Sequence, residues 1–307
     1  QVAKPKKGYK LVKTSFGKYE EIPEEWEVRT FDSLTTLVTN GFVGKAKDHY
    51  VESKNGVPYV QGYNVKENSF NFHEIRHISH QFNKQHKKSC LELGDLLTIQ
   101  TGDIGITATV PSVLVGSNCH ALIISRFKKQ LADPNYYCQY FNSEYGQITF
   151  NMIKFGATLK HLNVSDMKKL KLLNPPLPEQ KQIASILSNV DDTLQKTNQI
   201  IEQTQRLKKG MMQKLLTRGI GHTKFKKTKI GEIPEKWEVK FLKDICKIVD
   251  TPHYTSPSFD NGIPIIRTSD CMQSGIIDYS NTRFTSKEEY KKRCKQIDPD
   301  VGDVLFT

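Results

Sequence analysis

Residues 22–28 read IPEEWEV and residues 233–239 read IPEKWEV, the same phrase with one substitution, 211 residues later. The two copies hold both tryptophans of a 307-residue chain. NGVPYVQGYN (55–64) returns 206 residues on as NGIPIIRTSD (261–270), and GDLLTI (94–99) returns 208 residues on as GDVLFT (302–307). Three blocks in one order at nearly one offset require a duplicated unit with small insertions. A period near 210 residues is too long for a solenoid, whose repeats are roughly 20–50 residues.

The first copy continues past its third block through QTGDIGITATV to about residue 173, and the second has no counterpart for that stretch. LLTIQ and VLFT both read as β-strands after a Gly-Asp turn. On that reading the second copy is cut short inside a strand.

Between the copies the texture changes. NPPLPEQ (174–180) stops one element and starts another, with prolines at 175, 176 and 178 and Glu179 in a first helical turn. From there to about residue 217 there is no proline, and the only glycine is Gly210. Ile183, Leu187, Val190, Leu194, Ile201, Leu207, Met211 and Leu215, with Thr197 and Thr204 between them, step mainly by three and four. That is the seam of a coiled coil. Acidic Glu179, Asp191 and Asp192 lie toward its start, and Arg206, Lys208, Lys209, Lys214 and Arg218 toward its end, as the helix dipole favours. At 1.5 Å per residue the helix is roughly 58 Å long. Its stripe can pack on its own domains, or on a second long helix in another chain or in further sequence. Self-association through it is one such case. The expected class is α+β: duplicated mixed α/β domains joined by a long coiled-coil-type helix.

The net charge of +12 favours a polyanionic partner, nucleic acid first among them. With 37% hydrophobic residues the chain can build real cores. No apolar run approaches the roughly 18–20 residues of a membrane span, and the basic opening QVAKPKKGYK has no secretory pattern. Six dispersed cysteines without a CxxC pair read as reduced thiols, so the expected location is cytoplasmic and no metal site is expected.

Several strings imitate chemistry. HEIRH (73–77) matches the zinc-protease pattern, but that pattern needs a helix and its surroundings read as strand. At the 206 offset it aligns with the ligand-free YSNTR (279–283). NPPL lacks the aromatic that amino-methyltransferases stack on their target base, and GFVGKAK is too short for a phosphate loop. No catalytic residue is assigned. The competing reading is a stand-alone DNA-acting enzyme, an adenine methyltransferase or a nuclease.

Basic residues interleaved with polar and aromatic ones remain, the pattern that neutralises phosphates and reads base edges. The DNA-binding candidates are Lys45, Lys47, Arg76, His77, Lys84, Lys87, Lys88, Lys154 and Lys160, with Arg126, Lys128, Lys129, Lys168, Lys169 and Lys171 in the wider basic set.

The repeated I-P-E-x-W-E-V opening, the G-D-[ILV]-L strand, GATLKHL (156–162) running into PPLPEQKQIASIL, and KLLTRGIGHTKFK before the second opening resemble the specificity (S) subunit of type I restriction–modification systems. The resemblance covers nearly the whole chain. It implies an N-terminal segment (1–19), a first target-recognition domain (20–175), a conserved spacer helix (176–220) and the start of a second recognition domain (221–307). It further implies a bipartite double-stranded DNA site, and a second conserved helix pairing antiparallel with the first. The helix would then act as a ruler spanning roughly 17 base pairs. Such a subunit is not itself an enzyme. By the resemblance, S-adenosylmethionine belongs to modification (methyltransferase) subunits, and ATP and magnesium to restriction (endonuclease/translocase) subunits. The tryptophan of each opening is expected to anchor its domain core.

Overall fold

The computed structural model describes residues 5–14, 19–153, 161–250, 254–272 and 275–306. The chain separates into two compact units, Gln1–Arg206 and Leu207–Thr307.

The first unit opens with the hairpin β1 (Tyr9–Lys13) and β2 (Tyr19–Pro23), then β3 (Glu27–Thr30), the short helix α1 (Phe31–Leu34) and β4 (Thr35–Asn40). β5 (Gly56–Val60), the small hairpin β6 (Val65–Lys66) and β7 (Ser69–Phe70), β8 (Arg76–Ser79) and α2 (His80–Gln85) follow. Next come β9 (Leu96–Ile99), β10 (Thr107–Thr109), β11 (Asn118–Cys119) and β12 (Leu122–Phe127). Helices α3 (Pro134–Asn142), α4 (Glu144–Ile153) and α5 (Val164–Lys169) and strand β13 (Lys171–Asn174) lead into α6 (Leu177–Arg218).

An antiparallel sheet in the order β10-β9-β12-β4 forms the centre. Every residue of β9 is buried, which explains why LLTI is a continuous apolar run and not an alternating one. Its side chains still alternate. Leu96 and Ile123 join Phe31, Tyr137, Phe141 and Phe150 under the helices, while Leu97, Leu122 and Ile124 join Val60, Leu91 and Leu114 on the opposite face. α3 starts where Asp133 accepts hydrogen bonds from the backbone N–H of Asn135 and Tyr136, with Pro134 opening the helix.

β3 pairs with β13 from Thr30 opposite Lys171 to Glu27 opposite Asn174, so the first opening phrase lies beside the strand that feeds α6. Trp26 Nε1 donates to Glu179 Oε2 at 2.9 Å. This residue is half-buried and not a core anchor as expected from the sequence; it ties the opening to the first turn of α6. Gln180 beside it is fully buried. Its Nε2 donates to the Pro175 carbonyl at 2.8 Å and its Oε1 accepts from Asp133 N–H at 2.9 Å, so the amide is satisfied inside the core.

The helix expected over roughly 178–217 spans Leu177–Arg218, 42 residues. Its first turns belong to the first unit: Ala184 is buried, Ile183 packs against the main core, and Asp191 accepts from Gln139 and Asn68. From Leu187 onward the stripe faces solvent.

The second unit holds the hairpin β14 (Phe225–Thr228) and β15 (Gly231–Pro234), then β16 (Ile263–Ile265), β17 (Arg283–Thr285) and α7 (Lys287–Arg293). It repeats several local bonds of the first copy. Trp26 N–H donates to the Pro23 carbonyl and Trp237 N–H to the Pro234 carbonyl; Glu24 N–H reaches Gly8 and Glu235 N–H reaches Lys224. Pro58 in β5 faces His77 in β8, and Pro264 in β16 faces Phe284 in β17. A Cβ on Gly56 would lie 2.3 Å from the Ile78 carbonyl oxygen, and one on Gly262 would lie 2.4 Å from that of Thr285. Only glycine allows this approach of two backbones. Ser79 caps α2 by accepting from Phe82 N–H, and Ser286 caps α7 by accepting from Glu289 N–H.

These pairings revise the alignment in one place. The strand after the turn is offset by 207 residues, not 206, because Pro58/His77 corresponds to Pro264/Phe284. HEIRH therefore corresponds to SNTRF (280–284). A second correction concerns VLFT: residues 304–306 form no strand. In the first copy the equivalent β9 is held between β10 and β12, and among the described residues 304–306 pair with no strand. A strand without neighbours leaves its backbone groups to water.

Candidate nucleic-acid interface

The three-stranded sheet β11-β5-β8 carries an open cleft on the first unit. Lys47, Tyr50, Gln61, Tyr63, Glu74 and Arg76 line it, and a second hollow, with Tyr50, Glu52 and His77 on its walls, adjoins it across Arg76. The walls are pinned by local bonds. Tyr63 OH donates to the Glu74 carbonyl at 3.1 Å, and Gln61 Nε2 donates to Tyr50 OH at 3.2 Å. Gln61 and Asn64 close the turn after β5, the Gln61 N–H donating to Asn64 Oδ1 and the Asn64 N–H to the Gln61 carbonyl. Glu74 stands at φ 58°, a left-handed conformation rare outside glycine and asparagine, and it places the turn that admits β8.

Two of the sequence candidates, Lys47 and Arg76, meet at this cleft although 29 residues separate them, and a third, His77, lines the adjoining hollow. The other basic group comes in through aromatic packing. Phe42 lies 5.0 Å from Phe82 and 4.5 Å from His86, and His49 stacks on Phe82 at 4.3 Å. That stack seats the loop carrying Lys45 and Lys47 on α2, the element bearing Lys84 and leading to Lys87 and Lys88. All five lysines are exposed. Lys154 and Lys160 lie outside the described residues.

The wider basic set fares differently. Arg126 forms a two-pronged bond to Asp95, which is 1% exposed, and also meets Glu92. That pairing raises the Arg126 pKa and leaves its guanidinium committed to the fold. Lys168 and Lys169 pair with Asp32 and Asp166, and Lys128 donates to the Ser33 carbonyl. Tyr50, Gln61, Tyr63 and Glu74 were not among the sequence candidates. Only the repeat could have flagged Gln61, Tyr63 and Glu74, as positions that change on a backbone the two copies share.

HEIRH is a turn followed by the start of β8, so His73 and His77 do not share a helical face. Among the described residues no helix is long and apolar enough to cross a membrane.

On α6, Leu187, Val190, Leu194, Ile201, Leu207, Met211 and Leu215 are 40–63% exposed. Ile183 is the exception among the proposed partner-facing positions, since it packs into its own core.

Residues 23–206 match the family model described as type I restriction modification DNA specificity domain. A putative type I restriction enzyme MjaX specificity subunit of Methanocaldococcus jannaschii is 34% identical over 270 residues, covering 83% of this chain and 61% of the relative. The type I restriction enzyme MjaVIII specificity subunit of the same organism is 37% identical over 153 residues, 49% of this chain and 36% of its own. The chain thus spans less than two thirds of the length of these relatives. A crystal structure of the HsdS subunit from Thermoanaerobacter tengcongensis is similar at 16% identity and a TM-score of 0.46, covering 64% of this chain and 50% of that one. With more than half of its length matched by that model, the chain belongs to the family of type I restriction–modification DNA specificity subunits.

Proposed function

We propose that the chain recognises double-stranded DNA sequence for a type I restriction–modification complex, without catalysing a reaction itself. The observation that carries this reading is the cleft lined by the exposed cations Lys47 and Arg76, with His77 in the adjoining hollow, within the segment matched as a DNA specificity domain. Residues 20–175 serve as the first target-recognition domain, 176–220 as the spacer helix and 221–307 as the start of a second recognition domain. Lys45, Lys47, Arg76, Lys84, Lys87 and Lys88 provide the DNA-facing charge with His77 beside them, and phosphate contact positions the duplex for side chains that read base edges. Lys154 and Lys160 belong to the same set.

The exposed stripe from Leu187 to Leu215 supports a helical partner. That partner is a helix of a modification subunit, of further sequence or of a second copy. Methylation with S-adenosylmethionine falls to modification subunits, and ATP- and magnesium-dependent cleavage to restriction subunits. The assembly works in the cytoplasm, where host DNA is open to it. The test is methyl transfer to duplex DNA from labelled S-adenosylmethionine. Label should enter DNA when the chain is co-purified with its modification subunit and should not enter with the chain alone. Transfer by the purified chain alone overturns the reading.

A further inference from the structure

The two copies build one cleft frame from different side chains. The N–H of Asn71 bonds the Asn64 carbonyl and that of Asp278 bonds the Asp270 carbonyl, both at 2.7 Å. Next, Asn71 Oδ1 accepts from the N–H of His73, and Asp278 Oδ1 from that of Ser280. On that common frame Tyr59 faces Arg76 and Ile265 faces Arg283. Gln61 corresponds to Arg267, Tyr63 to Ser269, Glu74 to Asn281 and His77 to Phe284. Three cleft-lining residues and His77 of the adjoining hollow thus differ, and one arginine stays.

The substituted positions also change jobs. The carbonyl of residue 74 is held by Tyr63 OH; the equivalent carbonyl of Asn281 is held by Arg267 Nη2 at 3.0 Å. Arg267 is further bound by Asp270 through two guanidinium nitrogens. It is a strut of the second turn. In the first copy Tyr63 fills that role, so Gln61 keeps an Oε1 and an N–H beyond its bond to Tyr50. Among the described residues Arg29, Arg126, Arg206, Arg218 and Arg267 each meet a carboxylate, whereas Arg76 and Arg283 have none within salt-bridge distance. Both are exposed at the start of their strands.

We infer that Arg76 and Arg283 are equivalent, sequence-independent phosphate anchors of the two copies, and that Gln61 discriminates a base in the first. The inference rests on the DNA-recognition reading above. Two copies that set different side chains on one frame are not built to read the same bases, so a side chain common to both answers to what every duplex shares, the charged backbone. A side chain that differs answers to what the sites do not share. Gln61, with a donor and an acceptor to offer, matches the N6 and N7 edge of adenine in the major groove.

The test is selection from a random-sequence duplex library with the full chain, followed by affinity against salt for the recovered duplex and a scrambled one. Arg76→Ala and Arg283→Ala should each recover the wild-type motif, weaken both duplexes by a similar factor and lower the salt slope by about one. Arg76→Lys should keep the slope, and Arg76→Gln should reproduce the loss should the alanine variant fail to fold. Gln61→Ala should keep the slope and lose an adenine preference at one position. An altered motif with Arg76→Ala, or an unchanged slope, overturns the inference while leaving DNA recognition standing. A wild-type chain that retains no duplex defeats the DNA-recognition reading itself.

Discussion

Asp95 and Asp303 occupy the same turn in the two copies and live in different surroundings. In both, the aspartate's N–H bonds the carbonyl three residues back and its carboxylate accepts the N–H of that residue, at 2.8 Å from Glu92 and 2.9 Å from Asp300. Gly94 and Gly302, at φ 85° and 101°, make the preceding step. After the turn the copies part. Leu96 and Leu97 are fully buried in β9, while their equivalents Val304 and Leu305 are 72% and 56% exposed and belong to no strand. Asp95 holds Arg126; Asp303 is exposed. The comparison separates two levels of encoding. Turns, caps and hairpins are closed by bonds among neighbours in sequence and form in either context. A central strand is specified only together with the strands that flank it.

The largest expected effect tests that separation. Leu97→Ala removes a side chain buried between sheet and core and should cost about 2–5 kcal/mol. Leu305→Ala at the matched position should cost no more than about 0.5 kcal/mol. Urea unfolding of the full chain measures both, and equal losses would break the comparison. Arg126→Ala comes next. It strands the Asp95 carboxylate in the interior, a loss of about 3 kcal/mol, seen as a lowered urea midpoint for the first unit.

The caps should behave alike in the two copies. Ser79→Ala and Ser286→Ala should each cost about 1 kcal/mol, read from faster amide exchange in α2 and α7. A loss confined to one copy would show that the caps depend on tertiary packing after all. The smallest effect is a pH dependence of the first unit. Burial beside Tyr59 lowers the His120 pKa below its ordinary value of 6.5. The unfolded chain therefore takes up the proton first as pH falls. Stability on this account is intact above about 6.5 and declines as pH drops through the lowered folded value. Stability that rises on acidification from neutral would contradict this assignment.

Much of the frame was legible. The proline stop, the three-four periodicity and the charge gradient located α6 to within a residue or two, because each is a local constraint. The apolar run of β9 was read correctly, yet the same reading failed at VLFT, where no flanking strand pairs with it. The cleft could not be read. Lys47, Gln61 and Arg76 meet only when β5 and β8 pair, and nothing in their spacing reports that pairing. The one-residue shift of register between copies was hidden in the loop before β8. Trp26 was misread because a large aromatic in a repeated phrase suggests a core, whereas its indole N–H serves a carboxylate at the helix start. Arg126 and Lys168 were grouped with the wider basic set because their partners Asp95 and Asp32 lie far away in sequence.

The most direct test of the account is the affinity of the purified full chain for duplex DNA as salt is raised. Two phosphate contacts alone give a loss of about tenfold between about 50 and about 200 mM salt, and the exposed cations around the cleft should give at least that. Binding that is flat across this range would mean that the basic cleft does not meet the DNA backbone, and would contradict the recognition role assigned to it.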